Sequence, residues 1–499
     1  MPNRLSPIES IIWRVGYDPD LRMTIGNLII LDHAPSPGDL ADRLVALSKD
    51  APQLRARPRE SFLPGLGYWW AKDRDFEAGL HLRQVTVPAP GDLRQVLDIL
   101  GLVEPLPFEP DRSPWDVTLI DGLAGGKAAL YLRAHHVLTD GMGGAAIVNQ
   151  IFDESRPKPA RAAAADKKPP ARAAEKPDGS EPQPEKDRQS LTVTIDFSRF
   201  NRAVQPLTSS LNSLNSLNSL NSLNSLNTTA LATAPADALV RGLQSSLEVA
   251  SSVSRQALVT GGPLATWPDA RSVTSRFEVL SFARARSTAI ALGGSRNTLL
   301  VAAVASGLGL YLERLGQSCH ELRLATPTSL RHKRDTGGNW FAPLRVEVPT
   351  AMENPGPQFG VVGERLARSR NEPALRITSA LAMAIGRMPN RLLVPALHAQ
   401  ADTVDFAATA VPGGRAPHHI CGAAVEQSYP FGPRLGCPIN ISAFGNDDRL
   451  DIGVAFDPSA ITDPASLLDC LQTAYSGFTP PAGASKAAAN ETPAPASAT

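Results

Sequence analysis

The residues best placed to do chemistry lie in one run, Tyr131-Leu132-Arg133-Ala134-His135-His136-Val137-Leu138-Thr139-Asp140-Gly141-Met142-Gly143-Gly144. It sets two histidines and a carboxylate at the end of an apolar strand. A neutral imidazole with a pKa of about 6.5 can take a proton from an attacking hydroxyl and return it to a leaving thiol. The pattern therefore points to acyl transfer from a thioester to an alcohol, with His136 as the general base. Asp140 stands where the chain enters a helix through Gly141 to Gly144, a position suited to an N-cap or to the partner of an arginine, so its expected role is to hold the loop that aims His136.

Other chemistries fit less well. Adjacent histidines on a strand diverge and no His-x-His or Cys-x-x-Cys cluster lies nearby, so no metal is expected. Gly141-x-Gly143-x-x-Ala146 follows a strand and opens a helix as a dinucleotide fingerprint does. The region where that fold would place its acidic strand end is instead the Pro- and Ala-rich stretch from Pro157 to Pro184. Gly126-Lys127 is followed by Ala128, which breaks a Walker loop, and Val304 to Gly307 and Gly293 to Arg296 both miss the Gly-x-Ser-x-Gly elbow of serine esterases.

Two apolar runs, Trp115 to Ile120 and Ala129 to Leu132, separated by Gly122, Gly125 and Gly126, predict a pair of strands that delivers the motif. Alternation puts Leu130, Leu132, Ala134 and His136 on one face and Tyr131, Arg133 and His135 on the other, so only one histidine faces a given cavity. Further strands are expected at Arg276 to Leu280, Leu322 to Ala325 and Leu344 to Val348. Asn297 to Leu312 is expected to form a buried helix, since it falls short of the roughly twenty apolar residues that span a bilayer.

The chain has 499 residues, enough for two sizeable domains, and 42% hydrophobic with 20% charged residues is ordinary for a globular protein. Lys and Arg total 49, as do Asp and Glu, and this balance offers no general attraction to nucleic acid. Cys319, Cys421, Cys437 and Cys470 are dispersed, as expected of reduced thiols in a cytoplasmic setting, and Met1 to Ser6 has no apolar core of a signal peptide.

The expected organisation is an N-terminal domain over 1–152 carrying the motif, a linker over 153–256, a C-terminal domain over 257–479 and a disordered tail over 480–499. The linker holds a short strand at Leu191 to Ile195, six Ser-Leu-Asn copies from Ser210 to Asn227 and a crossing helix over Ala236 to Val253. A leucine every third residue drifts by about sixty degrees per repeat on an α-helix, so the tripeptide builds no apolar face and reads as a flexible spacer.

Ordered motifs along the whole chain resemble the bacterial wax ester synthase/diacylglycerol acyltransferase family. They are Leu5-Ser6-Pro7-Ile8-Glu9, Gly67-Tyr68-Trp69-Trp70, Asp75-Phe76, Val85 to Asp92, His135-His136-x-x-x-Asp140-Gly141, Asn297-Thr298-Leu299-Leu300, Pro327 to Arg331 with Gly338-Asn339, Val411-Pro412-Gly413, Tyr429-Pro430 and Leu450 to Gly453. The chain departs from the family at Pro107 to Trp115, where the middle arginine is lost, at Asn297-Thr298, where the family has Asn-Asp, and at Thr409 to Gly414.

The resemblance implies an α/β fold of two chloramphenicol-acetyltransferase-like domains with mixed sheets, and a substrate tunnel at their interface with His136 midway. It implies transfer of a fatty acyl group from acyl-CoA to diacylglycerol or a long-chain alcohol, with acyl-CoA as substrate and no cofactor. His135 and Gly141 belong to the implied catalytic motif. Asn297 is implied to donate a hydrogen bond near the reacting carbonyl, or else to cap its helix. Arg331 is the candidate partner of Asp140. Trp115 and Phe341, with Trp69 and Trp70, are candidates to line the tunnel, or else plain core. A lipid acceptor further implies peripheral attachment to the inner face of the plasma membrane or to lipid droplets. The alternative is a non-catalytic relative that binds acyl chains or lipid surfaces, motivated by the departures.

Overall fold

A computed structural model describes residues 4–61, 67–153, 262–264, 271–329, 341–351, 354–370, 388–413 and 418–479, with backbone alone for 328–329 and 341–344. The strand, repeat and crossing helix expected in the linker, the tail from Pro480, and Arg331 lie outside the described residues. In chain order the first half has α1 (Pro7–Val15), β1 (Thr24–Leu31), α2 (Pro37–Asp50), β2 (Ala56–Glu60), β3 (Tyr68–Lys72), β4 (Leu82–Thr86), α3 (Leu93–Val103), β5 (Trp115–Asp121), β6 (Ala128–His135) and α4 (Gly141–Ile151). The second half has β7 (Arg276–Phe282), α5 (Ala285–Ala291), α6 (Arg296–Arg314), β8 (Glu321–Ser329), β9 (Phe341–Pro349), α7 (Pro355–Arg370), α8 (Asn390–Ala401), β10 (Phe406–Pro412), β11 (His419–Ile420), β12 (Ala423–Phe431), β13 (Ile439–Asn446), β14 (Arg449–Phe456) and α9 (Pro464–Phe478).

Helix starts follow local chemistry. Ser6 and Asp92 each form a reciprocal capping box, with Glu9 at the start of α1 and Gln95 at the start of α3, satisfying N–H groups that the helix leaves without partners. Ser295 caps α6 by accepting from the Thr298 N–H. All of Leu299 to Ala305 in α6 is buried, and among the described residues no single helix is long and apolar enough to cross a membrane.

The strands form two mixed six-stranded sheets, ordered β11-β12-β1-β6-β5-β4 and β7-β14-β13-β10-β8-β9, with β2 and β3 as a separate hairpin. The second sheet buries one face against α6, α7 and α9, and the first packs α1 and α2 over Ile29, Leu31, Leu119 and Leu130. A third cluster joins the two halves: Leu28, Tyr131, Val96 and Leu100 from the first meet Phe277, Tyr429, Phe431 and Ala455 from the second. Each such side chain contributes about 1.5–3 kcal/mol on full burial, so the halves share a core.

Sequence order does not respect the division into consecutive domains. Although β12 lies within 257–479, it crosses over and pairs antiparallel with β1, Asn27 opposite Pro430 and Gly26 opposite Phe431. At the crossing, β12 lies on β14 so closely that a Cβ at Gly453 would be 2.1 Å from the Pro430 carbonyl oxygen. Only glycine fits there, because the obstacle is backbone on a strand pinned by two sheets. Gly453→Ala should therefore cost about 1–3 kcal/mol, read as a lower urea midpoint; an unchanged midpoint would show that the crossover is loosely packed.

Candidate active site

The motif hangs from the end of β6, the inner strand between β1 and β5. The His135 N–H donates to the Pro114 carbonyl at 2.9 Å, just before β5, and the His136 N–H to the Met23 carbonyl at 2.7 Å, just before β1. The two amides are thus held from opposite sides by the residues leading into the flanking strands. Regular pairing ends at His135, opposite Thr24. The chain then turns, with Leu138 N–H on the His135 carbonyl at 3.0 Å, and enters α4. Asp140 is the N-cap, its Oδ1 accepting from the Gly143 N–H at 2.8 Å, as the sequence suggests for this position.

His135 and His136 are both buried, at 6% and 8% exposure, and their environments set them apart. The His135 ring meets the edge of Trp13 at 5.0 Å and that of Phe108 at 6.2 Å. Its Nδ1 accepts from the Val137 N–H at 3.1 Å. A Cβ at Gly16 would come within 2.3 Å of its Nε2, so the ring fills the space that this glycine leaves. Burial, with the charge of neighbouring His136, pushes His135 down to about 3. It stays neutral across the working range and braces the turn.

Arg133 and Asp116, which the motif alone does not reveal, anchor the same strand end. They are directly opposite in the β5–β6 pairing and form a buried ion pair, with Arg133 Nε on Asp116 Oδ1 at 3.1 Å. The guanidinium also donates to the carbonyls of Val103, Glu104 and Leu106, gathering the end of α3, and lies 4.4 Å from the Phe108 ring that touches His135. A charged residue inside each of two paired apolar runs is the sequence signal that could have found them.

Asn297 does not cap α6, since Ser295 does. Its Oδ1 instead accepts from the Ala410 N–H at 2.9 Å. The reason lies in the sheet: β10 pairs with β8 only at Phe406 and Ala407, leaving the Ala410 N–H without a strand partner on that side. The next residue, Val411, has its Cγ2 3.6 Å from where a Cβ at Gly141 would stand. Asn297 therefore reaches the motif through β10, by pegging the strand against which the start of α4 rests.

Trp115 lies in the core, the other of its two expected roles. Its Nε1 donates to the Leu54 carbonyl at 2.8 Å and its ring stacks on His81 at 4.3 Å, inside the first core. Trp70 packs on that core and Trp69 is exposed on the β2–β3 hairpin. The side chain of Phe341 lies outside the described residues, as does any pairing of Arg331 with Asp140. Two small clefts lie between the halves, one beside Gly26 and Tyr131 and one beside Ala145 and Val148. Neither of these two is lined by His136. Among the described residues Asp18, Asp20 and His398 converge, but Asp18 Oδ1 is taken by His398 Nε2 at 3.1 Å and by the N–H groups of Asp20 and Leu21. That cluster ties α8 to the loop after α1.

The catalytic-domain model of the wax ester synthase/diacylglycerol acyltransferase family matches residues 5–297 and its C-terminal-domain model matches 337–478. The chain belongs to this acyltransferase family. A protein of Mycobacterium tuberculosis named "putative diacylglycerol O-acyltransferase" is 26% identical over 95% of this chain and 91% of its own length. Another from the same species, named a probable diacylglycerol O-acyltransferase, is 22% identical over 92% and 91%. The fold is similar to that of the wax ester synthase/diacylglycerol acyltransferase from Marinobacter aquaeolei VT8, with a TM-score of 0.57, 16% identity and coverage of 96% of this chain and 98% of that one. It is also similar to the first condensation domain of the calcium-dependent antibiotic synthetase, with a TM-score of 0.56, 15% identity and coverage of 96% and 95%. These likenesses bear out the two-domain α/β architecture with mixed sheets.

Two expectations follow for this family member. Because the unfolded chain takes up a proton near pH 6.5 and the folded His135 only near 3, stability contributed here rises with pH through that window and is lost on acidification from 6.5 toward 3. His135→Asn, which retains an acceptor for Val137, should flatten the dependence of the urea midpoint on pH between these values; an unaltered slope would show that His135 is not the group responsible. Asn297→Ala should cost about 1 kcal/mol and lower turnover, and Asn297→Asp, which keeps the acceptor for Ala410, should recover most of the stability. Equal losses in both variants would refute the peg.

Proposed function

We propose that the protein transfers a fatty acyl group from acyl-CoA to the hydroxyl of diacylglycerol, forming triacylglycerol, or of a long-chain alcohol, forming a wax ester. The single observation that carries the reading is the pair of histidines on the doubly held end of β6, one locked neutral as a brace and the other next to it at the entrance to α4. Family membership supports the reaction type, and the names of the mycobacterial relatives support diacylglycerol as acceptor.

In this mechanism His136 removes the acceptor proton as the alcohol oxygen attacks the thioester carbonyl. The tetrahedral adduct collapses, the carbon–sulfur bond breaks, and the CoA thiolate takes the proton back from the imidazolium, so no net proton is released. Acyl-CoA is consumed as substrate and no cofactor is required. Arg133, Asp116 and Asp140 act by keeping the loop in place. A passage between the halves would keep water from the thioester, and the acyl chain would gain about 0.8 kcal/mol per buried methylene. The acceptor would be drawn from a lipid droplet or the inner face of the plasma membrane, with the protein attached peripherally.

Purified protein supplied with palmitoyl-CoA and either diolein or hexadecanol should release free CoA with matching ester formation. His136→Ala should lower the rate by about 10²–10⁴-fold with the fold intact by circular dichroism. Undiminished release in that variant would remove His136 as the base, and release without ester would make the protein a hydrolase.

A further inference from the structure

We infer that Arg22 is a positioning residue for His136, fixing the carbonyl that receives the His136 N–H from a point shared by both halves of the molecule. The catalytic part of this inference rests on the acyl-transfer reading above. The His136 N–H donates to the Met23 carbonyl at 2.7 Å. Met23 stands just before β1, whose pairing with β6 begins at Thr24 opposite His135, so the ladder itself does not hold it. Its position depends on its own burial in the first core and on the residue that precedes it.

That residue is Arg22, and its Nη1 reaches two groups from distant parts of the chain. It donates to the Val273 carbonyl at 2.8 Å, just before β7 of the second half, and lies 3.6 Å from Glu104 Oε2 at the end of α3. The Glu104 side chain is only 12% exposed and its Oε2 is buried without a hydrogen bond. Among the described residues Arg22 is the one cation within 4.0 Å of that carboxylate, so losing it would leave a buried charge uncompensated. The backbone carbonyl of the same Glu104 accepts from Arg133 Nη1 at 3.1 Å, two residues before His135. Arg133 thus reaches Glu104 from β6, and Arg22 reaches it from the chain leading into β1. Glu104 also lines the small cleft at the seam, together with Ser275 and Phe277 of the second half. The strand that carries the motif and the carbonyl that receives His136 therefore share one anchor, and Arg22 extends that anchor across to the second half. A misplacement of about 1 Å in a reacting group costs about 10²-fold in rate, so a loosened Met23 carbonyl is felt in turnover.

Arg22→Met keeps the apolar stem and removes the charge and the donors. With palmitoyl-CoA and diolein it should lower kcat by about tenfold or more and leave both KM values within about twofold. Arg22→Lys should recover most of the loss, because both contacts use a single nitrogen and a lysine supplies a charge and a donor there. Adding Glu104→Gln to Arg22→Met should lower kcat by less than a further twofold, since the two side chains act at one point. Amide exchange followed by mass spectrometry reads the hold without turnover: a peptide spanning Ala134 to Leu138 should exchange about tenfold faster in Arg22→Met, with the β13–β14 pairing unchanged. A raised KM at constant kcat, additive losses in the double variant, or faster exchange in both places would overturn the assignment. If the unaltered protein turns over no acyl-CoA, the acyl-transfer reading falls, and selective exchange at the motif still upholds the hold while uniform or unaltered exchange overturns it.

Discussion

The site depends on one constraint, the double hold on the end of β6. A strand that stopped at His135 with free amides would fray, and the imidazole that follows would sample many positions. Here the Pro114 carbonyl takes one amide and the Met23 carbonyl the next, from opposite neighbours in the sheet. Each bond is worth only about 0.5–1.5 kcal/mol, but the pair fixes direction as well as position, because a rotation that satisfied one would break the other. The Arg133–Asp116 pair reinforces the hold from one face of the sheet, and the Trp13 and Phe108 rings close around His135.

From that fixed point the division of labour between two chemically identical side chains follows. Burial makes protonation of His135 costly, and its Nδ1 has a better use in accepting the Val137 N–H. A neutral packed ring is a rigid wall. His136, one residue on, leaves the regular strand and enters the turn toward Asp140, so the alternation that assigns faces inside β6 does not extend to it. Adjacent histidines are thus made unequal by where the strand ends.

The second half contributes through backbone. The Ala410 N–H, left over where β10 parts from β8, is taken by Asn297, and Val411 then rests against the start of α4. The strand exchange of β12 makes this coupling stiff, since β12 is bonded in the first sheet and pressed on β14 of the second. Motion of one half relative to the other would have to break a shared core as well as a strand pairing. A cleft between the halves is therefore lined by walls whose separation is set by packing.

The sequence by itself determined the local elements and the identity of the motif. The β5–β6 pair, the buried helix at Asn297 to Leu312, the strands β7, β8 and β9 and the cap at Asp140 were legible because periodicity, turn glycines and capping residues act over a few neighbours. The family was legible because its motifs occur in order along the chain. Tertiary structure decided what each side chain is used for. Nothing in the spacing of Asn297 announces a bond to Ala410 more than a hundred residues away, nor does Trp115 reveal that its indole N–H belongs to Leu54. The protonation of His135 required knowing that Gly16 and Trp13 enclose it, and the crossing of β12 required knowing which sheet edge was open to it. The physical reason is the same in each case: partners and burial depend on which distant segments meet, and a one-dimensional pattern carries propensities but no contacts.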